Sequence, residues 1–364
     1  MSSFAESLAS CNFEVTYVAE RILSPERVQQ GWSAPQMPSV RLILTDSDGT
    51  VQRLVSTTPD NSIHICEGLR SNGRVGLAQR FLARRGLMYW LMMEGIDDKG
   101  RFGFLKRFEY ARLFRARENF LAGVLTIGYR TPDWVMARGI PTYKVYPFAY
   151  FLAEAEDVHR TEIRTSTRYR FIYVGQLISR KLVDLLLRAL ASIEQRDTEL
   201  IIVGNGPLNK RLKTLASDLM PGRVQWRGGL PQGKVAAAIA QADCLVLPSR
   251  HDGWGAVVSE ALMVGTPAIC SDACGSAGVV RASGVGGVFS SDSQSELSLL
   301  LAQMVRAGPL TPTRRAQVVE WARCLAAPAG ARYLKQILLH QSGEFPRPLP
   351  PWERSIFVEQ HSCK

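Results

Sequence analysis

The chain has no run of about 18 uncharged apolar residues, the length a helix needs to cross a bilayer, so no spanning helix is expected. Its opening, MSSFAES, carries neither a basic region nor a long apolar segment, which argues against a secretory leader. Cysteine is sparse and unpatterned. There are seven, an odd number, and the one close set, Cys270 and Cys274, has no second pair, so neither a disulfide framework nor a zinc site is expected. No metal is expected at all, and reduced thiols in a cytoplasm fit best. Acid is the scarcer charge, 33 Asp and Glu against 44 Lys and Arg, a net charge of +11. No helix-turn-helix or zinc-finger pattern accompanies that excess, so nucleic acid is not the expected partner. What is present is ordinary globular composition, 46% hydrophobic and 21% charged. A length of 364 residues suits two domains better than one core.

The most informative stretch is 244–272, CLVLPSRHDGWGAVVSEALMVGTPAICSD. Residues 244–248 form a short apolar run, as a buried parallel strand does, and Pro248 and Ser249 stop it. A glycine-rich acidic loop follows, and Val257, Glu260, Ala261 and Val264 have helical spacing. Gly265 and Pro267 end that helix before a further strand at 268–270. Asp252 in the loop and Glu260 two turns into the helix are on the order of 10 Å apart at the helical rise. That is too far for one proton relay, and it suits the two ends of an extended ligand. Between them the backbone N–H groups of Gly255, Ala256 and Val257 open the helix, where unpaired donors and the helix dipole attract phosphate. An acid holding hydroxyls at each end and amides holding a diphosphate in the middle is the layout a nucleotide sugar requires. The bland alternatives are a turn or cap role for Asp252 and a solvated helix face for Glu260.

This stretch resembles the signature of the retaining glycosyltransferases of family 4, in which two Glu are separated by seven residues ahead of an alanine-rich helix and Gly-x-Pro. Glu260 stands at the second Glu. Asp252 stands at the first, one methylene shorter. A second segment supports the likeness. Residues 170–174 read as a strand, Gly175-Gln-Leu-Ile-Ser-Arg-Lys181 as its glycine turn, and 182–193 as a helix. The segment is similar to the family loop whose Arg and Lys grip the diphosphate. Lys181 matches the Lys, Gln176 replaces the Arg, and Arg180 could supply that charge one turn on. Cations at a helix start oppose its dipole, which favours an anionic partner there. Gly204 and Gly206 mark the turn after the next strand, at 199–203, and count as candidate donor-binding residues. The likeness covers 171–305.

The resemblance implies an α/β protein with two Rossmann-like domains facing a cleft, the GT-B arrangement. The acceptor-side domain is placed at 1–150, the nucleotide-sugar domain at 151–340 and a tail at 341–364. It implies transfer of a hexose from a nucleotide diphosphate sugar, a UDP-sugar first among the candidates and with no other cofactor, to a sugar or lipid-linked hydroxyl. Asp252, Lys181 and Glu260 are then catalytic candidates; Gly175, Arg180, Gly204, Gly206, Gly255, Ala256 and Val257 bind the donor. Cell-envelope polysaccharide or glycolipid synthesis is the expected setting. A nucleotide-sugar epimerase of similar shape and a non-catalytic binding protein are the alternatives.

The first half is read more coarsely. Helices are expected at 4–10, 74–85 and 131–138, strands at 13–18, 40–44, 62–66, 123–127 and 143–147, and a hairpin from 46–49 into a strand at 51–55. The apolar strand and glycine turn that open family 4 chains are missing, so this domain is expected to lack its first strand. His64, alone on a strand, reads as structural, although relatives place a His near the donor sugar. Residues 99–117 hold seven cations against Glu109, interleaved with Phe102, Phe104, Leu105, Phe108, Leu113 and Phe114. The segment suits an anionic membrane surface on the cytoplasmic face, or a helix with one solvated side. Strands are also expected at 224–228 and 286–289, and helices at 208–219, 232–241, 295–306 and 320–339. The proline-rich stretch 345–352 is expected to be extended.

Overall fold

The computed structural model describes residues 1–23, 34–70, 73–154, 168–195 and 197–353. Helix α1 (Ser2–Ala9) buries Phe4, Ala5 and Leu8, and strands β1 (Thr16–Ala19) and β2 (Arg41–Leu44) pair in parallel. The hairpin expected after β2 is instead a helix, α2 (Asp48–Thr57). Ser47 decides it: its hydroxyl accepts the Thr50 N–H at 3.3 Å and caps the first turn. Val51 and Val55, four apart, then share the buried face.

Strand β3 (His64–Glu67), helix α3 (Val75–Arg84), strand β4 (Tyr89–Glu94), helix α4 (Gly103–Arg117), strand β5 (Leu121–Ile127), helix α5 (Thr131–Met136) and strand β6 (Val145–Phe148) complete the first domain. Its larger sheet is all parallel in the order β3-β4-β5-β6. The β1-β2 pair is a separate sheet, and among the described residues no strand precedes α1.

The second domain alternates strand and helix: β7 (Tyr169–Val174), α6 (Val183–Ser192), β8 (Thr198–Val203), α7 (Asn209–Leu219), β9 (Val224–Gly228), α8 (Gln232–Ala240), β10 (Cys244–Leu247), α9 (Ala256–Met263), β11 (Ala268–Ser271), α10 (Ala277–Ser283), β12 (Gly286–Phe289) and α11 (Gln294–Ala307). Its six strands lie in the order β9-β8-β7-β10-β11-β12. This is the doubly wound order, whose direction reverses between β7 and β10, and ligands bind outside the strand ends at that reversal. Strands β8, β10 and β11 are buried along their whole length, as a parallel sheet covered by helices on both faces requires. Leu186, Leu187 and Leu190 of α6 are fully buried against it, each contributing about 1.5–3 kcal/mol.

The single helix expected at 320–339 is two, α12 (Pro312–Ala322) and α13 (Ala327–Gln341), parted by a short 3-10 turn. Pro328 lies in the first turn of α13, where its missing N–H costs nothing; inside one continuous helix it would break a bond. Helix α13 returns to the first domain and packs on α1. The Tyr333 hydroxyl donates to the Pro147 carbonyl at 3.1 Å and Gln341 to that of Ala122 at 2.7 Å. The tail follows it back. The Arg347 guanidinium lies 4.5 Å from the Tyr146 ring centre, and Trp352 sits 6.3 Å from both Phe151 and Trp254. Residues 354–364 of the expected tail lie outside the described residues.

Candidate active site

The loop leaving β10 is held rigidly beside the one leaving β11. The Asp252 N–H donates to the Ala273 carbonyl at 3.2 Å and the Gly275 N–H to that of Asp252 at 2.9 Å. Trp254 is buried and donates through its indole N–H to Ser259 at 3.1 Å. Gly255 then adopts φ +83°, the left-handed region that strains any side chain, and a Cβ there would lie 2.8 Å from Leu247. Helix α9 starts directly afterwards without a side-chain cap. The amides of Gly255, Ala256 and Val257 are thus placed at a helix start at the sheet's reversal point, where an anionic acceptor is favoured.

Three of the residues singled out in the sequence converge on this loop. Arg180 and Lys181 lie on a 3-10 turn, Ser179–Lys181, after β7. Arg180 is tied down from both ends: its carbonyl accepts the Arg250 N–H at 2.7 Å, and its guanidinium donates to the His251 carbonyl at 3.0 Å. Lys181 Nζ donates to Asp252 Oδ2, closing an ion pair in which both side chains are mostly buried. Ser249 reaches the same oxygen at 3.5 Å. Gly175 stands at the end of β7, and the packing of this turn on its neighbour accounts for two more glycines. A Cβ on Gly204 would lie 1.8 Å from the Gly175 carbonyl, and one on Gly206 2.5 Å from that of Leu177. Tyr173 donates to the Gln176 carbonyl at 2.8 Å. Burial, and then the nearby charge of Asp252, push its phenol well above the ordinary range.

Glu260, in the second turn of α9, is only partly exposed, and burial raises its carboxyl above the usual carboxylate range. Among the described residues it has neither a hydrogen-bonding nor an ion-pair partner. A desolvated, unpaired acid is costly to the fold and is typical of positions that meet a ligand.

The first domain approaches the same loops. The Tyr129 N–H donates to the Gly275 carbonyl at 2.8 Å, and Arg130 pairs with Asp272 at 2.5 Å. At the end of β4 stands Glu94, a residue that sequence reasoning passed over. Its carboxylate lies against the backbone of Gly253: a Cβ on that glycine would be 2.0 Å from Oε2 and 2.9 Å from Oε1. No local pattern marks Glu94, because its neighbour is distant in sequence. His64 is not brought here. It begins β3, at the opposite end from the strand terminus facing the cleft, its Nε2 is buried without a partner, and burial first and Arg85 second depress its pKa.

Two other features bear on partners. Helix α4 presents Phe104, Leu105 and Phe108 to solvent, with Phe102 just before it, alongside exposed Arg101, Arg112 and Arg115. Among the described residues no helix is long and apolar enough to cross a membrane, and no cluster of three His, Cys, Asp or Glu could hold a metal ion.

The parallel sheets, the doubly wound second domain and the site at its reversal define the class: this is the GT-B glycosyltransferase fold. The lipopolysaccharide outer core galactosyltransferase WaaB superposes with a TM-score of 0.67 at 17% identity, over 90% of this chain and 98% of its own. Anabaena HepE in complex with UDP gives 0.69 at 13%, over 93% and 96%. Residues 155–321, which hold every donor-side residue named above, match the family described as glycosyl transferases group 1. The match covers that part of the chain only. Among curated relatives, a GDP-mannose-dependent alpha-(1-6)-phosphatidylinositol monomannoside mannosyltransferase of Mycolicibacterium smegmatis is 35% identical over 108 residues. The match spans 27% of this chain and only 28% of that relative's length.

Proposed function

We propose that the protein is a retaining glycosyltransferase of the family 4 kind that moves a hexose from a nucleotide diphosphate sugar to the hydroxyl of a sugar or lipid-linked acceptor. The observation that carries this reading is the meeting of Lys181 and Asp252 beside the uncapped start of α9, with the unpaired Glu260 in the second turn of the same helix. The donor's diphosphate would lie on the amides of Gly255, Ala256 and Val257, with Lys181 and Arg180 as counter-charges. Glu260 would take the ribose hydroxyls and Asp252 the hexose hydroxyls. In the reaction the bond between the anomeric carbon and the diphosphate breaks and the acceptor oxygen bonds to that carbon. The acceptor's proton passes to the departing phosphate, and the fixed cations and amides stabilise the charge left there.

The relatives act on GDP-mannose or are seen with UDP, and both bases are candidates, with UDP placed first. A phosphatidylinositol mannoside and a lipopolysaccharide core are the targets named for two of them, which supports a role in cell-envelope polysaccharide or glycolipid synthesis. The mixed aromatic and basic surface of α4 suits attachment to an anionic leaflet on the cytoplasmic side, each cation near the surface adding about 1 kcal/mol.

Release of nucleoside diphosphate from UDP-, GDP- and ADP-sugars, measured for the wild type and for Asp252→Ala, tests the reading. One donor should be consumed, and the variant should lose most of that turnover. Binding without release in the wild type would make the chain a sugar-nucleotide binding protein, and conversion of the donor with no acceptor present would make it an epimerase.

A further inference from the structure

Glu94 ends a buried strand, so its backbone is fixed, and its carboxylate reaches out of the first domain to the loop that carries Asp252. Residue 253 lies between Asp252 and Trp254 and has no side chain. Any Cβ there would collide with the carboxylate, at 2.0 Å from Oε2 and 2.3 Å from Cδ. Three cations of the two domains are engaged with other acids: Lys181 with Asp252, Arg130 with Asp272, Arg138 with Asp98. Among the described residues no hydrogen-bond donor and no cation pairs with the Glu94 carboxylate. An acceptor-only group held at a cleft without a donor is built to receive one from outside.

We infer that Glu94 is a specificity-determining residue for the transferred hexose: its carboxylate accepts a hydrogen bond from a sugar hydroxyl on the side facing the first domain, opposite the contact made by Asp252. The sugar is thereby held by one acid from each domain, and only when the two domains are as close as Glu94 and Gly253 are here. The nucleoside diphosphate end, bound by the second domain alone, does not touch Glu94. This inference rests on the donor placement proposed above and adds to it the group that reads the sugar.

The test separates the two. UDP and GDP binding by calorimetry is measured for the wild type, Glu94→Ala and Glu94→Gln. Turnover of UDP-glucose and GDP-mannose is then compared with that of their monodeoxy analogues in each protein. The wild type and both variants should bind the diphosphate equally. The wild type should discriminate against one deoxy analogue by roughly 10- to 100-fold, the range for a hydrogen bond to a charged group. Glu94→Ala should lose that discrimination, and Glu94→Gln, whose amide oxygen still accepts, should keep part of it. Gly253→Ala, which displaces the carboxylate without removing it, should behave like Glu94→Ala. Equal diphosphate binding with discrimination unchanged in Glu94→Ala overturns the role of Glu94 alone. Failure of the wild type to bind either diphosphate sinks the donor placement, and the sugar contact with it. Circular dichroism confirms that each variant is folded, and the isosteric Gln carries the comparison if the Ala variant is not.

Discussion

Lys181 donates to Asp252 across 71 residues of sequence, and the pair is mostly buried. The cation assigned to the diphosphate is thus neutralised by the acid assigned to the sugar while no donor is bound. The two substitutions should therefore have opposite signs on diphosphate binding. Lys181→Ala should weaken UDP or GDP binding by at least about tenfold, the loss of one charge-assisted bond. Asp252→Ala should leave that affinity unchanged or raise it, because Lys181 is freed, while sugar transfer falls. Calorimetric titration of the diphosphate into both variants decides; weaker binding in Asp252→Ala would break the division of labour.

Glu260 gives a stability signature. Burial raises its folded pKa above the ordinary carboxylate range, so ionisation is disfavoured in the folded state and stability declines as pH rises through that folded pKa. Glu260→Gln removes the penalty. Without ligand, the variant should melt higher than the wild type at pH 7 to 8, and the gap should close as pH falls below about 4.5. With nucleotide present the order should reverse, since the lost acceptor weakens ribose binding. Thermal melts across pH, with and without UDP, measure both effects.

Arg130 and Asp272 tie the two domains together, yet the arginine is more than half exposed. Arg130→Ala should cost under about 1 kcal/mol in denaturant unfolding. A larger loss would show that the ion pair, rather than the backbone contact between Tyr129 and Gly275, holds the cleft edge.

Phe104 and Phe108 lie in solvent on α4. Changing both to Ser should alter stability by no more than about 0.5 kcal/mol each. Sedimentation with vesicles rich in phosphatidylglycerol should fall sharply, and wild-type binding should weaken with added salt. Equal sedimentation of variant and wild type would remove the membrane surface from consideration.

Trp352 is buried between Phe151 and Trp254. Trp352→Ala should destabilise the protein by about 3 kcal/mol, read as a shift in the urea midpoint at constant slope.

The second domain was largely legible because its signals are local. β7, β8 and β10 are short apolar runs closed by Gly175, Gly204 and Pro248, β9 and β12 lie at the residues expected for them, and α9 begins one residue after Gly255. Where two local signals compete, reading fails: residues 46–49 look like a hairpin turn, but Ser47 can also cap, and the four-residue spacing of Val51 and Val55 settles the matter only once there is a core to face. Strand β4 escaped notice because YWLMME has no alternation and sits close to other apolar segments. Glu94 went with it. Its meaning comes from Gly253, 159 positions later, and no pattern along the chain encodes a meeting at that separation. The partition of the first domain into two sheets is likewise a matter of pairing, which composition does not specify.

Helix α13 belongs in sequence to the second half and in space to the first. Module exchange among relatives cannot therefore treat the chain as two beads joined at one linker. A hybrid that keeps residues 168–322 and borrows another front half must also carry a terminal helix fitted to the borrowed α1, or leave Tyr333 and Trp352 without the surfaces they cover. Residues 327–353 travel with the acceptor side, and inheritance of donor preference should be separable from them.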